Sequence, residues 1–214
     1  MTVLPLTYLG STAWFARLVA GECATGEFVA GECVVDVHEN WVKQTARNRC
    51  DIATAGGVAS LTVPVHAAGA KIATRDVRID NSKRWQHVHW GSLVAAYRNS
   101  PFFDHYAERF APFYEQKYDW LVDFNVGLTR AVLTTLGLNE DVLRLSEKYV
   151  EARPEDIDLR GKKSLRPECE TLVLPPYTQV FADRGEFAPN VSIIDLVMCE
   201  SARGALSLLR MARG

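Results

Sequence analysis

No two cysteines in the sequence stand at C-x-x-C spacing, and the five present, Cys23, Cys33, Cys50, Cys169 and Cys199, are an odd number. A disulfide framework that pairs every thiol is excluded, and paired zinc ligands are missing. The chain also lacks a surplus of either charge: 24 Lys and Arg against 26 Asp and Glu leave a net charge of -2. Without a positive field to draw phosphate backbones, nucleic acid is not an expected partner. Long apolar runs are missing too. The opening segment MTVLPLTYLGSTAWFARLVAG has no basic n-region and is interrupted by Thr7, Gly10, Ser11, Thr12 and Arg17, which fits neither a signal peptide nor a membrane span. A cytoplasmic protein is the expectation. H-E-x-x-H, G-x-S-x-G, Walker and dinucleotide signatures are all absent, so the sequence names no cofactor and predicts no metal site.

What is present is an ordinary soluble composition, 48% hydrophobic over 214 residues, enough for one buried core. TVLPLTY reads as a strand, STAWFARLVAG as a helix with Ser11 or Thr12 at its cap and Gly21 at its close, and EFVAGECVVDV as a second strand. This βαβ order predicts parallel strands. RCDIATAGGVASLTVPV reads as a hairpin turning at Ala55-Gly56-Gly57, and TRDVRID as a third strand-like run. From Ser82 the period becomes helical. Trp85, His89, Leu93 and Tyr97 share one side, and the aromatic-rich residues that follow form a helical hairpin broken at Pro112 and closed at Gly137. DVLRLSEKYV reads as a return to strand, and ARPEDIDLRGKKSLRPECE as a polar surface loop or lid. The expected fold is α/β, a mixed sheet that starts with a βαβ unit and has a helical hairpin packed against it. One domain is expected over 1–214: mainly sheet with one helix over 1–80, mainly helical over 81–138, and strand, loop and C-terminal helix over 139–214.

After the second strand the chain runs VHENWVKQTARNRC, which is apolar on neither strand face. A half-buried strand should alternate, so this segment is either a solvated loop or the polar lining of a cleft. Ligands of open parallel sheets bind beyond the carboxyl ends of the strands. On that basis Lys43, Arg47 and Arg49 form a candidate anion site beside free N–H groups at the start of the first helix. His38 and Glu39 are candidate acid/base residues, although adjacent residues of an extended chain face opposite ways. Cys50 has two readings, a thiol nucleophile or a buried small hydrophobe. His87 and His89 are two apart on a helix and cannot share a metal, and His89 reads as a core histidine or as a site residue.

The segments HENWVKQTARNRC, LTVPV, DVRID, WQHVHW, AAYRNSPFF, FAPFYEQKYDWLVDFN, YTQVF and NVSIIDLV, in this order, resemble the WbqC-like family from Tyr8 nearly to the C-terminus. The sequence departs from the family's pattern at Trp41 and Ala46, where aromatic residues such as tyrosine are expected. The resemblance implies a bacterial role in O-antigen or other surface polysaccharide synthesis. It implies a transferase that moves a glycyl or acyl group to an amino sugar or sugar-nucleotide, with a small-molecule substrate and an acyl donor as partners. No residue roles come with the resemblance; within the transferase reading, the chemistry of the polar segment itself makes His38, with Glu39, the catalytic base. Tyr8, Lys43, Gln44, Arg47, Asn48, Arg49, His89, Tyr97 and Gln179 bind substrate. The alternative is a non-catalytic module that binds a glycan or a partner protein, with Trp41, Trp85, Trp90 and Tyr97 as stacking surfaces.

Overall fold

The computed structural model describes residues 1–20, 33–66, 71–161 and 171–212. The central strand is β1 (Thr2–Pro5), three of whose four residues are buried, as a strand covered on both faces requires. The helix α1 (Thr12–Ala20) follows, and then β2 (Cys33–Asp36), which pairs parallel with β1 from Thr2↔Cys33 to Pro5↔Asp36. The expected parallel βαβ start is present. Residues 27–32 of the expected strand, Gly21, and positions 162–170 of the expected lid lie outside the described residues. β3 (Arg49–Thr54) and β4 (Gly57–Thr62) form the expected hairpin, with Gly57 at φ +99° in its turn, a conformation that favours glycine.

Expectations change for three stretches read as strand or loop. The polar stretch read as a loop contributes β5 (Ile157–Asp158), which pairs parallel with β1 and completes the sheet order β2-β1-β5. Two exposed residues are too short a strand to leave a period in the sequence. TRDVRID and DVLRLSEKYV do not form strands. The first is a 3₁₀ turn over Thr74–Asp76 followed by single bridges, Val65↔Ile79 and Arg78↔Trp120, and the second a 3₁₀ turn over Glu140–Val142 with one bridge, Val35↔Leu145. Val77 and Ile79 still point into the core.

The helical region comprises α2 (Trp85–Tyr97), α3 (Phe103–Glu115) and α4 (Leu121–Thr135). Pro112 lies inside α3 instead of breaking it. It and Glu108 are both exposed, so the carbonyl that loses its partner one turn back can turn to water. Gly137, at φ +75°, closes α4: its N–H donates to Thr134 O at 3.1 Å and that of Leu138 to Leu133 O at 2.9 Å, the double bond of a left-handed helix stop. The C-terminal region folds as two helices, α5 (Ile193–Cys199) and α6 (Ala202–Arg210), and α6 packs on α1.

Leu121, Phe124, Leu128 and Val132 give α4 a fully buried stripe at helical spacing. Phe124 is the hub of an aromatic cluster, with ring centroids 5.6 Å from Tyr8, 5.3 Å from Trp85, 5.9 Å from Tyr114 and 5.2 Å from Tyr118. Phe124→Ala is expected to cost about 3–5 kcal/mol of unfolding free energy, while Val88→Ala, at a site 59% exposed, should stay within about 0.5 kcal/mol. Urea unfolding of both variants checks this; equal midpoints would remove Phe124 from the centre of the core.

Candidate functional site

The polar segment after β2 does not present its charges together. Arg47 is 2% exposed and Glu39 4% exposed. The Arg47 Nε donates to Glu39 Oε1 at 2.8 Å and its Nη2 donates to Glu39 Oε2, a two-pronged pair that a guanidinium suits by shape. Arg47 also donates to Thr45 Oγ1 at 3.1 Å and to the Arg160 carbonyl at 2.8 Å. Burial pushes the Glu39 carboxyl up from its ordinary range and the Arg47 charge pulls it down. Arg160 in turn pairs with the buried Asp36 and with Asp158. Asn48 is buried and donates to the Val63 carbonyl at 2.9 Å. Lys43 and Gln44 are exposed, and Gln44 holds a positive φ of 58°. Arg49 sits on β3, with its Nε 3.2 Å from Thr62 Oγ1. The expected trio Lys43, Arg47 and Arg49 is therefore dispersed, and Arg47 and Glu39 hold the segment together.

The start of α1 is occupied as well. Thr12 N donates to Val191 O, Ala13 N to Asn190 Oδ1, both at 3.0 Å, and Trp14 N to Ser11 Oγ at 3.3 Å. Ser11 caps the helix as expected, but these N–H groups are not free for a ligand.

Tyr8 and His89 meet inside the core. Tyr8 Oη lies 2.9 Å from His89 Nδ1 and 3.0 Å from Tyr114 Oη. The imidazole also donates to the backbone of Thr62, and burial lowers its pKa to about 4. The one Tyr8 hydroxyl thus joins His89 to Tyr114. Gln179 reaches another buried group, Asp195, whereas the buried Tyr97 hydroxyl has no hydrogen-bond partner. The Asp195 Oδ2 accepts from Tyr177 Oη at 2.6 Å and from Gln179 Nε2 at 2.9 Å, and burial raises its pKa. Trp85 and Tyr97 are buried, and Trp41 and Trp90 are half-buried against the core, so these four do not form one open stacking face.

His38 is different: it lines an open groove of ≈ 610 Å³ beyond the carboxyl end of β2. Its wall is made by four stretches of chain, and each has a local cause. Asp36, fully buried at the end of β2, accepts from His38 N at 2.8 Å and Ser146 Oγ at 2.9 Å, fixing two lining residues at once. Arg75 N donates to Val37 O at 2.9 Å, which brings Arg75 and Asp76 alongside. Leu121 N donates to Val77 O at 3.0 Å, so the first turn of α4 reaches the groove with Trp120, Val122 and Asp123. That turn has no side-chain cap, carries Asp123, and spends its Leu121 N–H on Val77. Leu145 and Glu147 complete it. Arg75 Nη1 stands 3.5 Å from His38 Nε2. Among the described residues no cluster of His, Cys, Asp and Glu could hold a metal ion.

Residues 29–166 match the sequence model of the WbqC-like protein family. The chain belongs to this family. Every residue lining the groove falls within the matched segment, whereas Tyr8 and Gln179 fall outside it. No curated protein and no solved structure matches the chain. Among the described residues no helix is long and apolar enough to cross a membrane, which agrees with the expectation of no membrane-spanning helix for this WbqC-like protein.

Sequence reasoning did not single out Asp36, Arg75, Trp120, Asp123, Ser146 or Glu147 as site residues. Asp36 had a readable signal, an acidic residue ending the apolar run CVVD, since a carboxylate there must find donors. The others come from segments far apart in sequence, and only the fold assembles them.

Two outcomes follow from the buried groups. Glu39→Gln leaves the Arg47 charge buried with a weakened partner, at an expected cost of about 3–5 kcal/mol, whereas the double change Glu39→Leu, Arg47→Met should cost less than either single change. A denaturation cycle that is simply additive would contradict the pairing. His89 binds a proton less readily folded, at about 4, than unfolded, near 6.5. Its contribution is therefore whole above pH ~6.5 and is lost as pH falls toward ~4, a slope worth about 3 kcal/mol that His89→Gln should flatten. Unfolding midpoints between pH 4 and 7 check the sign.

Proposed function

We propose that this WbqC-like protein is a transferase that moves an acyl or aminoacyl group onto an amino sugar, free or nucleotide-linked, in surface-polysaccharide synthesis, and that the transfer takes place in the groove beside His38. The observation that carries the reading is the groove's lining: an imidazole, an exposed Trp, and Asp76, Asp123 and Glu147 against Arg75 as the lining guanidinium. Three carboxylates against one guanidinium favour a ligand that carries a cationic amine and many hydroxyl donors. Trp120, 37% exposed, offers an apolar ring to a sugar face, and its position is fixed by the Arg78 guanidinium 4.8 Å from its centroid. The family's place in polysaccharide synthesis, implied by the resemblance, agrees with this ligand class.

In the transfer, the bound ammonium first gives one proton to water, and His38 takes a second from the amino nitrogen as it attacks the donor's carbonyl carbon. The carbonyl oxygen becomes an oxyanion, which the Arg75 guanidinium beside His38 favours electrostatically. Collapse of that intermediate expels the donor's leaving group, and the imidazolium returns the proton to it. Glu39, Arg47 and Asn48 act beneath this surface by holding the segment in place. Lys43 and Gln44, at its exposed crest, meet the donor if they meet any ligand.

The test is thermal unfolding of the wild type, His38→Ala and Trp120→Ala with amino-sugar phosphates, sugar-nucleotides, acyl-CoA and amino acids. A ligand at 100 times its Kd adds about 2.7 kcal/mol, a rise of roughly 5–10 °C for a chain of this size. The expected result is a shift with an amino-sugar ligand that Trp120→Ala abolishes. In the matching assay, His38→Ala should lower turnover by about 10²–10⁴-fold with binding kept. Shifts that survive in both variants would move the ligand out of the groove.

A further inference from the structure

A second, smaller cavity of ≈ 40 Å³ lies off the carboxyl end of β1, between the chain leading into α1 and the start of β3. A single water needs only about 10–15 Å³ of such space, so the cavity takes a group of several heavy atoms. Its lining carries polar atoms that the fold leaves unused. Thr7 is 1% exposed, and its Oγ1 has no hydrogen-bond partner. The hydroxyl is held over Gly10, where a Cβ would come within 2.5 Å of it. Asn190, at φ 54°, spends its Oδ1 on the N–H of Ala13 while its buried Nδ2 has no partner. A buried donor without an acceptor costs about 1–3 kcal/mol, so two in one cavity call for a shared acceptor.

Arg49 gives that acceptor its charge. Arg49 is a lining residue, its Nε–Thr62 contact is long at 3.2 Å, and among the described residues it joins no ion pair. Cys50 on the same lining keeps its thiol neutral, because burial pushes its pKa well up. Asp51 is the acidic lining residue, and its carboxylate is engaged by the Ser60 hydroxyl. We propose that this cavity is a small-oxyanion site, in which Arg49, the Thr7 hydroxyl and the Asn190 amide hold one carboxylate or phosphate group. The N–H groups at the start of α1 take no part, since Val191, Asn190 and Ser11 already occupy them. The site stands apart from the groove of His38 and does not depend on the transferase reading.

The experiment titrates the whole chain with inorganic phosphate and, separately, with sodium acetate at constant ionic strength, following heat release and the unfolding midpoint. Saturable binding of at least one probe is expected, and which probe binds tells a phosphate group from a carboxylate. Arg49→Gln should weaken it by about tenfold or more, the value of a hydrogen bond to a charged group. Thr7→Val, which keeps the shape, should weaken it severalfold with the midpoint of the ligand-free protein little changed. His38→Ala should bind as the wild type does. If neither probe saturates, the cavity holds water only and the proposal fails. It fails equally if phosphate or acetate binds Arg49→Gln and Thr7→Val as tightly as the wild type.

Discussion

The pairing of Glu39 with Arg47 is the constraint on which the rest of the molecule depends. A guanidinium and a carboxylate taken out of water are costly, and only a geometry that satisfies both at once makes their burial tolerable. Arg47 meets that condition by reaching Glu39 with two nitrogens and the Arg160 carbonyl with one of them. Arg160 is itself buried against Asp36, so the ends of β2 and β5 and the polar segment between β2 and β3 are locked to one another through charge. The Arg47 carbonyl extends the lock to the helices, because it accepts from Asn125 Nδ2 of α4 at 2.8 Å.

From this lock the groove inherits its shape. Asp36 belongs to the buried charges and at the same time holds the backbone of His38 and the hydroxyl of Ser146. The opposite wall is the first turn of α4, four residues before Asn125 and on the same rigid helix. Both sides of the groove are therefore fixed by residues buried beneath its lining. The aromatic hub around Phe124 plays the matching part in the core, joining Tyr8 of the sheet side to Trp85 and Tyr114 of the helices.

Much of the frame was legible in the sequence. The βαβ start, the glycine-turned hairpin and the start of the helical region at Trp85 follow from period and turn chemistry, and they are where those rules place them. What stayed hidden was whatever depends on contacts distant in sequence. β5 is two exposed residues, made a strand only by the edge of β1 beside it. The charges of the polar segment were visible, but a sequence does not show whether an arginine faces water or a carboxylate eight residues away, and Arg47 faces Glu39. Likewise His89 and Tyr8 are 81 residues apart, and only their meeting turns an ambiguous helical histidine into a member of the core. In the groove, His38 was readable because it follows a strand end, while Trp120, Asp123 and Glu147 were ordinary polar or aromatic positions until α4 and the chain after it were docked.

The groove divides into residues that the fold needs and residues it does not. Asp36 is buried and bonded on every side, whereas Arg75, Asp76 and Glu147 are exposed and belong to no buried pair. Substitutions at exposed positions of this kind usually change stability by no more than about 0.5 kcal/mol. Descendants of this sequence can thus rewrite the charge pattern of the lining at almost no cost to folding. Divergence among such chains should be concentrated at those three positions, with the frame inherited unchanged.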